Sequence, residues 1–137
     1  MSVLLDTKAC VASIRGRPHI VRERIQQAAE RGETICVSSI TVFELWYGIG
    51  RSERITENTV QLAAFLRRVR TIPFESDDAE AAGLLRARLR KLGKSIGPYD
   101  VLLAAQTLRR DWTLVTANVS EFSRVEGLRW ENWEAAE

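Results

Sequence analysis

Short apolar runs alternate along this 137-residue chain with longer segments that carry apolar residues at helical spacing. The runs that favour strands cover residues 3–6, 34–39, 72–74, 113–116 and 128–130. Strands that alternate with helices are typical of βαβ units, whose strands pair in parallel. The sequence therefore predicts an α/β fold, in which a largely parallel sheet of about four or five strands lies between two layers of helices.

The segments between those runs are predicted to be helical. They cover residues 18–31, 41–48, 56–70, 76–92 and 99–110. Proline stands at the start of two of them (Pro18, Pro98), and glycine follows the end of two (Gly32, Gly93), as capping preferences require.

The helix predicted over 76–92 has the clearest pattern. Ser76 is placed as its N-cap, acids follow in the first turn, and bases are concentrated near its end, which suits the helix dipole. Four residues are expected to form its buried stripe: Ala82, Leu85, Leu89 and Leu92.

Length and composition predict one soluble domain over residues 1–137. A chain of this size supports a single core, and its 45% apolar content is ordinary for a globular protein. The longest near-continuous apolar run, residues 101–105, is far shorter than the ~20 residues of a membrane span. No basic leader precedes an apolar stretch at the N-terminus. A cytoplasmic protein without a membrane partner is expected.

The cysteine and histidine content excludes several chemistries. Cys10 and Cys36 have neither CxxC nor metal-ligand spacing, so both are expected to be reduced, buried core residues. His19 is the single histidine, which argues against a histidine-based zinc site and a Ser-His-Asp triad. Any catalysis must therefore come mainly from carboxylates.

Arginine dominates the basic residues. Of the 20 lysines and arginines, only Lys8, Lys91 and Lys94 are lysines, and the formal net charge is +2. The planar guanidinium binds phosphate bidentately, which favours a nucleic-acid partner. A GC-rich genome would produce the same bias, so both explanations stay open.

Acidic side chains follow the predicted strands. Asp6 ends the first strand, Glu44 lies a few residues after the second, Asp100 lies in the first turn after Pro98, and Glu121 follows the fourth strand. Ligands of open α/β sheets bind at the carboxyl ends of strands. Converging carboxylates suit a hard cation such as Mg²⁺ or Mn²⁺, which can activate water for phosphodiester hydrolysis.

Each of these acids also has a structural explanation. An acid near a helix start, such as Asp100, is commonly a cap. Glu44 lies among apolar residues, where a carboxylate needs a partner, and either a metal or a hydrogen-bond network would supply one. The occurrence of several acids together at the carboxyl ends of the predicted strands is what favours a functional site over these separate structural roles.

Five groups of residues occur in order along nearly the whole chain. They are Leu4-Leu5-Asp6-Thr7; Ser38-Ser39-Ile40-Thr41 with Glu44-Leu45 and Tyr47-Gly48; Ile96-Gly97-Pro98-Tyr99-Asp100 with Ala104-Ala105; Thr113-Leu114-Val115-Thr116 with Asn118, Glu121-Phe122 and Arg124-Val125; and Gly127-Leu128 with Glu131-Asn132-Trp133. Together they resemble the motifs of VapC-type PIN-domain ribonuclease toxins.

The resemblance implies a PIN-like fold with an acidic pocket that holds Mg²⁺ or Mn²⁺. It implies an endoribonuclease that hydrolyses RNA, often tRNA. Such toxins are silenced by a VapB-type antitoxin whose C-terminal segment wraps the toxin. They commonly form homodimers within a larger toxin–antitoxin complex.

The same resemblance assigns the site residues. Asp6, Glu44 and Asp100 match the family's catalytic acids, and Glu121 matches the fourth acid of the most similar branch. Asp6 and Asp100 are the expected metal ligands. The expected supporting polar residues are Thr7, Thr116 and Asn118.

Lys8 departs from the family pattern. The usual Asp-Thr-Asn reads Asp6-Thr7-Lys8 here, and the missing asparagine ordinarily helps to order the acids. Lys8 is therefore a candidate modulator of metal binding, or it is a solvent-facing residue at a helix start. The alternative function is a catalytically weakened PIN-fold module that binds RNA or protein.

Other phosphate-handling α/β enzymes fit less well. A haloacid-dehalogenase-type phosphatase requires a second aspartate two residues after Asp6, where Lys8 stands. A receiver domain requires a phosphoacceptor aspartate after the third strand, where the chain reads Pro73-Phe74-Glu75.

Trp46 and Tyr47 are large side chains beside Glu44 in a helix that ends in glycines. They are candidates for a dimer or antitoxin surface, with simple core packing as the alternative.

Overall fold

A computed structural model describes residues 1–135 and contains a five-stranded sheet in that range. The strands are β1 (Ser2–Leu5), β2 (Thr34–Ser38), β3 (Arg70–Ile72), β4 (Thr113–Val115) and β5 (Arg129–Glu131). Their order is β3-β2-β1-β4-β5, and every neighbouring pair is parallel. The predicted parallel sheet is confirmed.

Seven helices connect these strands in the described part of the chain. They are α1 (Thr7–Arg15), α2 (His19–Glu30), α3 (Ser39–Gly50), α4 (Ile55–Leu66), α5 (Ser76–Lys91), α6 (Pro98–Arg110) and α7 (Val119–Phe122). The helices predicted from periodicity did not include α1, whose buried face is made of small residues, or α7, which is a single turn; only the solvent-facing interpretation of Lys8 assumed a helix start there. None of these helices is long and apolar enough to cross a membrane.

Alternating side chains of the sheet support two cores. Leu4 and Cys36 pack on one face with apolar residues of α5 and α6, while Leu5 and Val37 pack on the other with residues of α1 to α4. Such alternation follows from the two-residue period of a strand. The predicted three-layer sandwich is confirmed, and both cysteines are buried and free, Cys10 in the second core.

The predictions around the third strand were wrong by two residues for the strand and by four for the end of the preceding helix. The helix predicted over 56–70 ends at Leu66, and β3 occupies 70–72 instead of 72–74. Ile72 is the last residue of β3 in register, opposite Ser38 of β2. Pro73 follows and has no N–H to donate to the ladder, so the strand ends before it.

Two details predicted for α5 were also wrong. Glu75, not Ser76, occupies the N-cap position, and its N–H donates to the Asp78 carboxylate at 2.8 Å. Leu92 is 59% exposed because the helix ends at Lys91, before the buried stripe completes another turn. The other three residues of that stripe are buried as predicted.

Candidate active site

The strand order creates a switch point between β1 and β4. From β1 the chain continues to β2 and β3 on one side, and β4 and β5 lie on the other. In open α/β sheets, ligands bind at the carboxyl ends of strands beside such a point. Asp6 directly follows β1, and its N–H donates to the Val115 carbonyl of β4 at 3.0 Å. The backbone therefore places Asp6 at this position.

Asp6 is a buried carboxylate held by hydrogen bonds. It caps α1, because its Oδ1 accepts from the Ala9 N–H at 2.8 Å, and the Thr116 side chain also hydrogen-bonds to it. Burial raises the pKa of Asp6, although these two hydrogen bonds partly oppose the rise. Ionised Asp6 thus lacks full compensation of its charge, which a nearby cation would supply.

Thr7 positions Glu44. The Thr7 hydroxyl, at the start of α1, donates to Glu44 Oε1 on α3 at 2.8 Å, and both side chains are partly buried. This bond joins two elements that lie far apart in the chain. Thr7 was predicted as a supporting polar residue, and the structure places it against a predicted site acid.

Asp100 and Glu121 form a hydrogen-bonded pair. Burial, the hydrogen bond to Glu121 and the negative charges of Glu121, Asp6 and Glu44 raise the pKa of Asp100 to about 7. The same hydrogen bond lowers the pKa of Glu121. The pair therefore shares one proton up to about neutral pH. The negative charges of the other three predicted acids all act on Asp100.

Glu121 also accepts two further hydrogen bonds. The Gly97 N–H donates to its Oε2 at 3.4 Å, and the Asn118 amide donates to the same oxygen at 3.1 Å. Thr116 in turn accepts from the Asn118 N–H at 2.9 Å. The structure thus brings Thr116 and Asn118 to the acids, where the sequence predicted supporting residues.

Gly97 is a site residue that the sequence reasoning assigned no role. A Cβ at this position would lie 3.0 Å from Asp100 Oδ2 and 3.7 Å from Glu121 Oε2. A side chain here would press against the carboxyl pair. The available signal was its position immediately before Pro98 and Asp100, within one of the recognised motifs.

Lys8 lies in the first turn of α1 with an exposed side chain. Within residues 1–135 it forms no ion pair with a carboxylate. The positive charge of Lys8 favours the ionised form of Asp6, but this effect is smaller than the opposing effect of burial on the pKa of Asp6. This placement agrees with the solvent-facing interpretation of Lys8.

The donors at this site fit a hydrated hard cation. In the described residues, no three Asp, Glu, His or Cys side chains are placed to bind one ion together. Mg²⁺ usually binds one or two carboxylates directly and keeps several waters, so it does not require such a group. The donor atoms here are carboxylate oxygens, and the charge at Asp6 and Asp100 is incompletely compensated.

Comparison with known proteins identifies the family of this chain. The PIN-domain family model matches residues 3–128. The tRNA(fMet)-specific endonuclease VapC of Shigella flexneri is 35% identical over 97% of this chain and 98% of its own length. Ribonuclease VapC2 of Haemophilus influenzae is 38% identical, again over 97% and 98%.

Solved structures show the same similarity in three dimensions. VapBC2 from Rickettsia felis, bound to a promoter DNA fragment, contains a chain with a TM-score of 0.91 and 35% identity, over 97% of this chain and 99% of that one. DNA-bound VapBC from Salmonella typhimurium gives a TM-score of 0.89 and 34% identity, over 97% and 98%. The chain therefore belongs to the PIN-domain family, and within it to the VapC ribonucleases.

Proposed function

We propose that this protein is a Mg²⁺- or Mn²⁺-dependent endoribonuclease that acts in the cytoplasm as the toxin of a VapBC-type pair. The observation that carries the metal dependence is the arrangement of the carboxylates. Asp6 is buried at the end of β1, Asp100 is hydrogen-bonded to Glu121, and burial together with the negative charges of Glu121, Asp6 and Glu44 raises the pKa of Asp100 to about 7. Such a concentration of negative charge is typical of a cation site. The ribonuclease names of the relatives support the reaction class.

In this proposal, Asp6 and Asp100 are the direct metal ligands. A divalent ion held there would activate a water and stabilise the leaving oxygen of a phosphodiester. Asp100 would hold the ion as a carboxylate, without the proton that it shares with Glu121. Thr7 orients Glu44, while Gly97 and Asn118 orient Glu121 Oε2, so both glutamates are positioned to accept hydrogen bonds or a proton from water.

We also propose tRNA as the substrate class and a VapB-type antitoxin as the partner. The Shigella relative is named for cleavage of tRNA(fMet), and the similar solved structures are VapBC complexes. A homodimer within a larger toxin–antitoxin complex is the expected assembly. The binding-module alternative has less support, because exposed Lys8 forms no ion pair with the acids in residues 1–135.

The test is cleavage of transcribed tRNA by the purified protein in Mg²⁺. Asp6→Asn and Asp100→Asn are expected to reduce cleavage about 100-fold or more, since each removes charge that holds the ion, and several kcal/mol of transition-state stabilisation depend on it. EDTA is expected to reproduce the loss.

Asp77→Asn serves as the matched control, because Asp77 is an exposed aspartate on α5, away from the four acids. It is expected to cleave like the wild type. Undiminished cleavage by either site variant, or in EDTA, would refute the metal mechanism. RNA binding without any cleavage in Mg²⁺ would support the binding-module alternative.

A further inference from the structure

Two exposed aromatic side chains flank the acids. Phe43 directly precedes Glu44 on α3, and Tyr99 directly precedes Asp100 on α6. Their ring centroids lie 5.8 Å apart with the planes tilted by 60°. Although the rings contact each other, Phe43 remains 54% exposed and Tyr99 43%. Two different helices thus present aromatic surface to solvent at the same place.

Both rings line a cleft of about 710 Å³ that also includes Thr7 and Glu44. This volume lies within the range of about 300–1,000 Å³ that holds small organic ligands. The cleft runs from Glu44 along α1, α3 and α4. It can therefore accept a group of nucleotide size beside the proposed site of hydrolysis.

Two arginines add positive charge to the same cleft. Arg15 and Arg51 line it, and in residues 1–135 neither forms an ion pair with a carboxylate. The Arg51 guanidinium lies 4.8 Å from the centroid of the Tyr47 ring, which restrains it at the wall. Unpaired guanidiniums recognise phosphate well. The cleft thus combines aromatic faces, phosphate-binding groups and one of the site acids, Glu44.

RNA has the chemistry that matches all three features. Unpaired bases stack on aromatic rings, and arginines bind the phosphates between them. Because both rings line the same cleft as Glu44, a phosphodiester held at the acids brings a neighbouring base within reach of the rings. Bases in a duplex are already stacked on each other and do not offer their faces.

We propose that Phe43 and Tyr99 form a stacking site for an unpaired base next to the phosphodiester held at the acids, with Arg15 and Arg51 on phosphates farther along the strand. This proposal rests on the proposed ribonuclease function and adds to it a selection for single-stranded or loop RNA.

The test measures binding of a fluorescently labelled single-stranded oligoribonucleotide by anisotropy in EDTA, so that cleavage does not contribute. Phe43→Leu and Tyr99→Leu keep an apolar side chain but remove the ring. Each is expected to raise Kd about five- to 150-fold, the equivalent of about 1–3 kcal/mol per stacked base. Phe43→Trp and Tyr99→Phe keep a ring and are expected to bind like the wild type.

Leu84→Ala is the control, because Leu84 is an exposed apolar residue on α5 that does not line the cleft. It is expected to leave Kd unchanged. Thermal unfolding of each variant confirms that it is folded, and Phe43→Leu alone suffices if Tyr99→Leu is unstable. A blunt duplex of the same sequence is expected to bind without dependence on either ring.

An abasic scan identifies the stacked base. Removing one base from the oligoribonucleotide is expected to weaken binding to the wild type at one position, and to have a much smaller effect there in Phe43→Leu. Two outcomes would overturn the proposal: a similar loss of affinity for an abasic site at every position of the oligoribonucleotide, or equal affinities of the wild type and the variants without a ring. Phe43 and Tyr99 would then remain available only to a protein partner. Ring-dependent binding by a protein that cleaves nothing would support stacking and contradict the nuclease function.

Discussion

At the scale of single residues, the carboxyl pair of Asp100 and Glu121 controls how the site responds to pH. Because the pKa of Asp100 is raised to about 7, the folded protein without metal retains a proton that the unfolded chain, with an aspartate pKa of about 3.9, has released. Folding is therefore linked to proton uptake between about pH 3.9 and about pH 7, and the free energy of unfolding falls as pH rises through this interval.

We expect the free energy of unfolding in EDTA to fall by about 1–2 kcal/mol between pH 5 and pH 8, a value discounted for solvent screening at a partly exposed site. Glu121 titrates below this range, because its pKa is lowered. Asp100→Asn should weaken the decline, leaving the smaller part that the raised pKa of Asp6 contributes. Urea unfolding at several pH values measures how the free energy of unfolding of the wild type and of Asp100→Asn changes with pH. Equal slopes for the two proteins would contradict the assignment of the pH dependence to Asp100.

Lys8 allows a second prediction at this scale. Its ammonium is near enough to favour ionised Asp6, so it also repels a cation bound there. Lys8→Asn is expected to tighten Mg²⁺ binding by about two- to fivefold, a modest change because exposed charges are screened. The midpoint of a Mg²⁺ titration measures it, with Lys91→Asn on α5 as the control. An unchanged midpoint with weaker RNA binding would instead show that Lys8 contacts RNA phosphate.

At the scale of elements, Asp78 joins α5 to α6. Its side chain is 0% exposed, and its Oδ1 accepts from Arg109 and Arg110 at 2.6 Å each. Burial opposes its ionisation, but these bonds and the Glu75 N–H outweigh burial and hold the pKa of Asp78 below its usual range. The two helices therefore share a buried ion pair on the side of the sheet that carries Asp100.

Breaking this link should destabilise the protein. Asp78→Ala removes the buried carboxylate that both arginines share and leaves them, within residues 1–135, only the exposed carboxylates of Asp77 and Glu75. It is expected to lower the free energy of unfolding by about 3 kcal/mol. Asp77→Ala is the matched control, since the Asp77 side chain is 81% exposed, and this variant should lose about 0.5 kcal/mol or less.

Chemical denaturation measures both variants. The stability from Asp78 should be complete above pH 4 and be lost as pH falls through its lowered pKa. Equal stability of Asp77→Ala and Asp78→Ala would contradict the link.

At the scale of the whole molecule, α3 carries aromatic surface toward potential partners. Trp46 is 45% exposed and Tyr47 61%, so core packing does not account for them and the interface stays a prediction. Trp46→Ala is expected to weaken self-association or binding of the antitoxin while leaving the unfolding temperature within a few degrees of the wild type. Sedimentation of the protein with and without its antitoxin measures this. If Trp46→Ala sediments like the wild type both with and without the antitoxin, Trp46 is not an interface residue.

Local patterns in the sequence were sufficient for the alternation of strands and helices, the parallel sheet and the presence of acids after strands. Periodicity and capping act over a few residues, so they can be recognised without knowing the rest of the fold. The motifs added the family and the prediction of which acids form the site.

Only the tertiary structure decided which of these parts meet. The strand order places Asp6 beside the end of β4, the hydrogen bond from Thr7 reaches Glu44, and the partners of Asp78 lie on a later helix. The contact between Phe43 and Tyr99 likewise joins α3 to α6. These contacts link distant parts of the chain, so they depend on how both cores pack against the sheet, and no local pattern encodes that packing.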